Sequence, residues 1–358
     1  MVNSTLKFKS IILASFTFIF LNLDTQAQDG FDEFIEAGSA DASSIYKAYG
    51  TPLLSGVNWA FSRGWYNTAK AHKTLGFDFS LNVSIAFVPS KDEFYNTADV
   101  VNEWNANAAT RTGTSISGQP LSDFPTRFAA GANRFPTMVG PQEPAPIIEI
   151  FNPATDQYEQ IEGPVGFDYA NDIVQATVPV AMPQFGIGLF KNTDLKFRFL
   201  PEVGSDDVKL SMFGVGLMHD IKQWIPGNSL IPIDISLFGA YSNTNFDVLD
   251  IDDAPGDDAF FKQSSWTAQL LVSKELHIIT FYGGFGINSG TNNIEIVGEY
   301  DIIASSAPIR DPIDIETTDT GFTGSFGIRL KLAIITLHAD YAIQEYNTVN
   351  TGIGISLR

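Results

Sequence analysis

The clearest pattern in the chain is a strict alternation of apolar and polar or small residues that begins at Leu75. The apolar positions are Leu75, Phe77, Phe79, Leu81, Val83, Ile85 and Phe87. A period of two is typical of a β-strand whose two faces meet different surroundings. The run exceeds the roughly 9–11 residues that a tilted strand needs to cross a bilayer. The pattern therefore predicts a strand long enough to span a membrane.

The same alternation recurs in nine later segments, which gives ten predicted strands. These segments are 173–190, 195–199, 207–219, 231–243, 264–274, 277–288, 320–331, 333–344 and 347–357. The connections alternate in character. Long or acidic ones are 89–172, 201–206, 244–263 and 289–319, and the mostly short ones are 191–193, 220–230, 275–276 and about 332. Longer loops at one end and short turns at the other are typical of an outer-membrane barrel.

The fold class that this pattern predicts is all-β, a transmembrane antiparallel β-barrel of about 10–14 strands with a short N-terminal helical plug. The upper count allows for extra strands in the two longest connections, since 146–151 and 293–303 also alternate. A soluble secreted β-sandwich is the alternative, because one buried face also produces alternation. Ionic side chains on the inner face favour the barrel, where they would form a polar lumen network and line a candidate pathway. They are Asp78, Lys196, Arg198, Asp234, Arg329, Lys331, His338 and Asp340.

The N-terminal region divides into two predicted segments ahead of the barrel. Residues 1–27 have a basic start, an apolar stretch and a small-residue cleavage site, and they predict a secretory signal peptide. An uncleaved anchor is the alternative. Residues 28–70 form the predicted periplasmic or plug segment, with a short helix that ends near Tyr49, where Gly50 and Pro52 stop it. The candidate plug aromatics are Trp59, Phe61, Trp65 and Tyr66, and residues 71–358 form the barrel, with the long loop 89–172.

Charge and composition narrow the possible partners. The chain has 21 basic and 41 acidic residues, a formal charge of −20, and no cysteine. The acidic surface argues against nucleic acid as a partner. The lack of cysteine excludes thiol nucleophiles and Cys-ligated metal sites. We expect outer-membrane lipid, barrel-assembly machinery and a small apolar ligand as partners, and no cofactor.

Catalytic and metal-binding signals are weak. An acyl hydrolase would need a Ser–His pair, and only Ser325 and His338 on neighbouring strands offer one, without a G-x-S-x-G element. We therefore expect no enzyme activity. The other histidines, His72, His219 and His277, are expected at the periplasmic end. The acidic segment 247–258 contains the calcium candidates Asp250, Asp252, Asp253 and Asp257, although a solvated loop explains the same residues.

The long loop 89–172 has two Phe-Pro-Thr motifs, at 124–126 and 135–137, and its many prolines and small residues predict irregular structure over the barrel mouth. The motif Asn152-Pro-Ala-Thr-Asp156 predicts a hairpin turn. This loop is the candidate lid or constriction, and a surface-exposed loop without a ligand, facing a host or a phage, is the alternative.

Three segments resemble an uncharacterised family of Bacteroidota outer-membrane barrels. They are Gly64–Ala69, Pro183–Pro201 and Gly214–Pro226. That family is distantly similar to the FadL-type long-chain fatty-acid transporters, in which an N-terminal plug lies inside a barrel. The resemblance implies an outer-membrane transporter or channel for small hydrophobic or amphipathic molecules. The alternative is a plugged structural or partner-binding barrel without transport. The terminal Leu357-Arg358 departs from the aromatic C-terminal residue common in proteobacterial barrels.

Overall fold

The barrel wall consists of ten long antiparallel strands. The computed structural model describes residues 39–110, 113–129, 133–142, 144–167, 176–205, 208–249, 256–300 and 309–357. Within these residues the wall strands are β1 Phe77–Phe87, β2 Thr177–Leu189, β3 Thr193–Gly204, β4 Val208–Asp220, β5 Asp234–Val248, β6 Asp258–Leu276, β7 Ile279–Val297, β8 Ile313–Leu332, β9 Ile335–Ile343 and β10 Thr348–Leu357. Each strand pairs with its neighbours in sequence, and β1 also pairs with β10, which closes the barrel. The closed all-β barrel is therefore confirmed at ten strands.

The extra strands that the sequence allowed do not enter the wall. Residues 147–152 pair with 157–162 in a separate hairpin outside the barrel. Residues 293–297 continue β7. The prediction that 244–263 and 289–319 are loops is also wrong for most of their length. These residues extend the strands β5 to β8, which are 15 to 20 residues long. Polar residues in these stretches suggested loops, but the strands continue with polar side chains on their outer face.

The two ends of the barrel differ. At one end, called the turn end, the connections are 190–192, 221–233, 277–278 and 333–334. At the other, called the loop end, they are 88–176, 205–207, 249–257, 298–312 and 344–347. β1 begins and β10 finishes at the turn end. Short strands Glu299–Tyr300 and Ile309–Arg310 pair at the loop end.

The first described element is the helix α1, Ser39–Phe61, which lies inside the barrel. The prediction that it stops near Tyr49 is wrong, because α1 continues through Gly50 and Pro52. Proline in a helix interior removes one hydrogen bond and costs about 3 kcal/mol. Contacts with the surrounding wall offset that cost. The Thr51 hydroxyl also donates to the Lys47 carbonyl at 2.5 Å.

The described residues between 89 and 167 form a folded cap at the loop end, so the prediction of irregular structure is wrong. The cap contains α2, Thr97–Ala106, and the short strands Phe94–Asn96, Arg127–Phe128, Arg134–Pro136, Ile147–Asn152 and Gln157–Glu162. Among the described residues, 3-10 turns occur at Ser90–Asp92, Ala108–Thr110, Leu121–Asp123, Lys222–Trp224 and Asn228–Leu230. The predicted hairpin turn after Asn152 is confirmed, and the Asn152 side chain accepts from the Ala154 amide at 2.8 Å. In the described part of the chain, no helix has the length and hydropathy of a membrane span.

Candidate functional site

The lumen is filled by residues 39–74, called the lumen segment, which comprise α1 and the extended stretch 62–74. All four candidate plug aromatics are buried in it. The expected lumen ions all lie on inward-facing positions of the wall. Asp78, Lys196, Arg198, Arg329, His338 and Asp340 are buried, and Asp234 and Lys331 are half-buried. The interior of the barrel is therefore the place to look for a site.

The second half of α1 packs on an apolar part of the inner wall near the loop end. Leu53, Val57 and Phe61 lie in one buried cluster with residues of the wall. The wall contributes Ala86, Val178, Val180, Met182, Leu200, Leu210 and Met212. A helix satisfies its own backbone hydrogen bonds, so an apolar wall can surround it.

The first half of α1 packs against the cap instead. Ile45, Tyr46 and Tyr49 share a second buried cluster with Trp104 and Ile148 of the cap. Asp41 fixes the start of the helix, since its carboxylate accepts from the Thr126 hydroxyl at 2.6 Å. Its carbonyl also accepts from the Trp104 indole at 3.0 Å. Burial raises the pKa of the cap residue Tyr95, which keeps its phenol neutral. The two halves of α1 thus belong to two different cores, which meet near Gly50 and Pro52.

An apolar cavity of about 150 Å³ lies where these two cores meet, at the loop-end mouth of the barrel. We call it the mouth cavity. Its lining consists of Gly50, Leu53, Leu54 and Val57 of α1, Met138 of the cap, and Phe246, Val248, Ala259, Phe260, Phe261 and Ile294 of β5 to β7. Every lining residue is apolar or glycine. A β-carbon added at Gly50 would meet no atom within 4 Å, so this glycine leaves part of the space open.

The extended stretch 62–74 has no strand partner, and side chains of the wall bind its backbone. The Gln184 amide donates to the Trp65 carbonyl at 3.1 Å. Ala69 is bound on both sides: its carbonyl accepts from Ser236 at 2.6 Å, and its amide donates to Ser273 at 3.0 Å. Buried backbone groups need such partners. This need explains why the inner wall is polar near the turn end.

Arg63 and Arg198 form the centre of the lumen network. The Arg63 guanidinium lies 2.8 Å from the Asp340 carboxylate, and both side chains are almost completely buried. Asp340 also accepts from the Tyr282 hydroxyl at 2.9 Å and from the Asn350 amide at 2.7 Å. Charges buried in this way need both the ion pair and the further hydrogen bonds.

Arg198 binds the end of α1 rather than a carboxylate. It donates to the Phe61 carbonyl at 2.8 Å and to the Arg63 carbonyl, and its guanidinium lies 3.7 Å from the centre of the Trp65 ring. The last carbonyls of a helix lack partners within the helix, and a cation is favourable there. The predicted network of lumen ions therefore has a partner that the sequence analysis missed, the backbone of the lumen segment.

A second polar centre lies at the turn end, around His72. The sequence placed His72 at the periplasmic end of the barrel, and it lies at the turn end, 3 % exposed and inside the lumen. Its Nδ1 is 2.8 Å from Asp194 Oδ2, and its backbone amide donates to the same carboxylate. Its Nε2 is 3.6 Å from Asp78 Oδ1, which in turn is 3.9 Å from the Lys196 ammonium. These contacts hold the lumen segment just before it turns into β1.

The order Ser356, His72 and Asp194 resembles a hydrolytic relay in outline. Ser356 Oγ lies 3.5 Å from His72 Nε2, at the limit of a hydrogen bond. Ser356 is 2 % exposed, and Asp78 approaches the same imidazole nitrogen, so an acyl group has no room between serine and histidine. We interpret this centre as an anchor of the lumen segment.

The pairing of Ser325 with His338 that an acyl hydrolase would need is not formed. Ser325 lies opposite Ala342 in the register of β8 and β9, whereas His338 lies opposite Arg329. Four residues of offset correspond to about 13 Å along a strand. Ser325 is instead 2.9 Å from the Tyr66 hydroxyl, which also donates to Gln269.

The calcium candidates give no metal site in the described structure. Asp250, Asp252 and Asp253 lie outside the described residues, and Asp257 accepts weakly from the Glu299 amide at 3.4 Å. Among the residues that the structure describes, no three His, Cys, Asp or Glu side chains converge on a possible metal position.

The sequence analysis missed Arg63, His72 and Asp194 as site residues. Asp194 lies on the same face as Lys196 and Arg198, so extending the alternation by one step would have found it. Arg63 stands alone among aromatics in the sequence, and only its position inside a barrel gives it a partner.

The outer face of the wall is divided into an apolar and a polar zone. On β8 the outward side chains are apolar near the turn end, at Phe322, Phe326, Ile328 and Leu332. Nearer the loop end they are polar, at Thr320, Thr318 and Glu316. The same change occurs on β5 after Tyr241, on β6 before Trp266 and on β7 after Ile287. Above it, outward side chains bond across β7 and β8, with Ser289 and Thr320 2.7 Å apart.

The comparisons with known proteins identify a family whose function is unknown. Residues 6–357 match a family of unknown function, DUF6588. No curated protein sequence matches the chain significantly.

Solved structures with some similarity are bacterial barrels. Ail of Yersinia pestis is 13% identical, covering 46% of this chain and 93% of that one, with a TM-score of 0.24. The translocator domain of the autotransporter NalP from Neisseria meningitidis is 8% identical, covering 89% and 98%, with a TM-score of 0.27. The Pseudomonas putida toluene transporter TodX is 8% identical, covering 79% and 89%, with a TM-score of 0.24. Scores at this level carry no functional argument, and the barrel fold rests on the strand register itself.

Proposed function

Because the chain belongs to that family, whose function is unknown, we propose its function from the geometry: it is an outer-membrane barrel that takes up small apolar molecules through the mouth cavity. The apolar lining of that cavity is the observation that carries the proposal.

An outer-membrane location is supported by the apolar zone of the outer face. From Phe322 to Leu332 this zone covers ten residue steps of β8. At about 3.3 Å per residue and a tilt near 45°, the zone is roughly 23 Å tall, close to the apolar band of membrane barrels. Tyr241 and Trp266 lie at its upper border, where such barrels have aromatic girdles. The predicted signal peptide falls outside the described residues and stays a prediction.

The chemistry of the mouth cavity favours an uncharged hydrocarbon. A dry apolar cavity of about 150 Å³ is large enough to bind benzene. Since the lining is apolar throughout, a carboxylate in it would lose its hydration without gaining a partner. Within the class that the FadL-type resemblance implies, small hydrophobic molecules therefore fit better than amphipathic acids.

Passage beyond the cavity requires the lumen segment to move. On the turn-end side of the cavity, α1 packs against the wall. Still nearer the turn end, the Arg63–Asp340 ion pair crosses the lumen. We propose that the barrel is closed at rest, and that the hydrocarbon is released downward only when the second half of α1 shifts. Pro52 interrupts the hydrogen bonding of the helix beside the cavity, which makes this the weakest point of α1.

The filled lumen also favours the second candidate, a plugged barrel whose cap binds a partner without transport. The two candidates differ in whether the mouth cavity has a ligand. Conductance in planar bilayers distinguishes them poorly, because both are closed at rest.

Binding of fluorobenzene, followed by fluorine NMR on the purified protein in detergent micelles, tests the proposal. We expect Gly50→Leu to abolish binding, because the new side chain grows into the open space beside Gly50. Gly239→Leu is the matched control, since Gly239 lies on the outer wall and its added β-carbon meets only one atom, at 3.8 Å. Equal binding by Gly50→Leu and the unmodified protein would refute the cavity as the site and leave the plugged barrel.

A further inference from the structure

The lumen segment runs through the whole barrel in one direction, from the loop end to the turn end. Along β7 its contacts move steadily toward the turn end. In order they are the Leu54 carbonyl with Asn292 at 3.1 Å, Asn58 with the Gly290 carbonyl at 3.2 Å, and Ser62 with Asn288 at 3.1 Å. The lumen segment therefore approaches the turn 277–278 as its residue numbers increase.

Both ends of this path are fixed. At the turn end, the Lys70 ammonium lies 2.6 Å from Glu275, and the chain then reverses into β1 at Phe77. At the loop end, Asp41 is bound by Trp104 and Thr126 of the cap. The chain therefore enters the lumen from the side that carries the cap.

We propose that the start of α1 lies at the outer surface of the cell, together with the cap, and that the lumen segment threads its own barrel from the outside toward the periplasm. The inference rests on the proposed outer-membrane location, in which short turns face the periplasm and longer loops face outward. β1 starts and β10 ends on the periplasmic side, whereas α1 starts on the outer side.

This topology excludes one way of opening. A plug that leaves the barrel toward the periplasm would have to draw the start of α1, with its contacts to the cap, through the lumen. The opening step of the proposed uptake is therefore a shift of the second half of α1 within the barrel. The first half of α1 and the cap together form an outward-facing surface.

The absence of cysteine makes the topology directly testable with single-cysteine variants. The positions are Lys47→Cys on an exposed site of α1, Ser117→Cys on the cap and Leu230→Cys in the turn 221–233. A membrane-impermeant maleimide is applied to intact and to permeabilised cells. We expect Lys47→Cys and Ser117→Cys to react fully in intact cells, and Leu230→Cys only after permeabilisation. Labelling of Lys47→Cys in the pattern of Leu230→Cys would overturn the proposal.

A second variant tests the threading without the membrane and separates the two proposals. A β-carbon at Gly290 would lie 3.0 Å from Asn58 Cβ, which is less than the roughly 3.5–4.5 Å of a disulfide. A shift of α1 by about half an ångström away from the wall would bring two cysteines at these positions into bonding range. Oxidation of purified Asn58→Cys/Gly290→Cys should therefore form an intramolecular disulfide, and free thiols after oxidation would contradict the threaded path. Equal labelling of Ser117→Cys and Leu230→Cys in intact cells, with the disulfide formed, would refute the outer-membrane location and with it the surface display, but not the threading.

Discussion

The two halves of the lumen segment fill the same barrel by different means. α1 packs on apolar wall residues such as Val178 and Val180 of β2. Elsewhere on the wall it makes a few hydrogen bonds, such as that of Asn58 with Asp319. The stretch 62–74 is held by hydrogen bonds and ion pairs from polar wall residues. The change occurs along single strands: the inward face of β2 goes from Met182 to Gln184, and that of β3 from Arg198 to Leu200.

On β2 and β3, the polarity of the inner wall follows the backbone state of the part of the lumen segment that it encloses. A helix needs no partners for its main chain, and an apolar wall contributes packing. An unpaired extended chain exposes its amides and carbonyls, and each buried one costs about 1–3 kcal/mol unless it is bonded. The polar lower lumen is therefore explained by the fold of the lumen segment, without any solute.

The largest expected loss of stability comes from removing the buried ion pair of Arg63, which holds the extended stretch 62–74. Arg63→Ala leaves Asp340 buried without its cation, and loss of one partner of a buried pair costs roughly 3–5 kcal/mol. The Tyr282 and Asn350 hydrogen bonds keep the loss toward the lower value. Urea unfolding in detergent micelles, followed by tryptophan fluorescence, measures the change in the free energy of unfolding.

Lys70→Ala is the matched control for this measurement. It removes an ion pair of the same segment with Glu275, but these side chains are 49% and 40% exposed. Exposed pairs contribute about 0.2–1 kcal/mol. If both variants lost the same small amount, the Arg63 centre would not be what holds the extended half.

The sequence predicted the wall far better than its contents. Strict alternation identifies inward and outward faces, so the ten strands and inward positions such as Asp78 and Asp340 follow from a period of two. The partners of these ions do not follow, because the lumen segment has no periodic pattern that sets its depth or direction. Gly50 and Pro52 indicated a helix end by local propensity, and enclosure by the wall overrides that propensity. The sequence does not show that apolar residues such as Val178 face the lumen, because apolar side chains that face lipid and those that face a helix are the same residue types.

The second prediction breaks the apolar half at Gly56. A β-carbon there would lie 2.5 Å from Val178 Cγ2 and 3.0 Å from its Cβ. Valine is stiff and this one is buried in β2, so it has little freedom to move away. Overpacking of this kind costs typically 1–3 kcal/mol, and we expect Gly56→Ala to lower the free energy of unfolding by an amount in that range. A neutral result in the same urea titration would mean that the helix and the wall are not in direct contact here.

The smallest expected effect has the opposite sign and comes from Gly50→Ala, the same substitution six residues earlier in the same helix. The new methyl group meets no atom within 4 Å and enters the mouth cavity. Alanine is favoured over glycine in a helix interior by about 0.5–1 kcal/mol, so the free energy of unfolding should rise by up to that amount. Fluorobenzene should still bind, more weakly than to the unmodified protein, because one methyl group fills only part of the space. If Gly50→Ala instead destabilised the protein as Gly56→Ala does, the glycine would be needed for the local backbone conformation of α1 beside Pro52. The joint between the two cores would then be a strained hinge rather than an open ligand space.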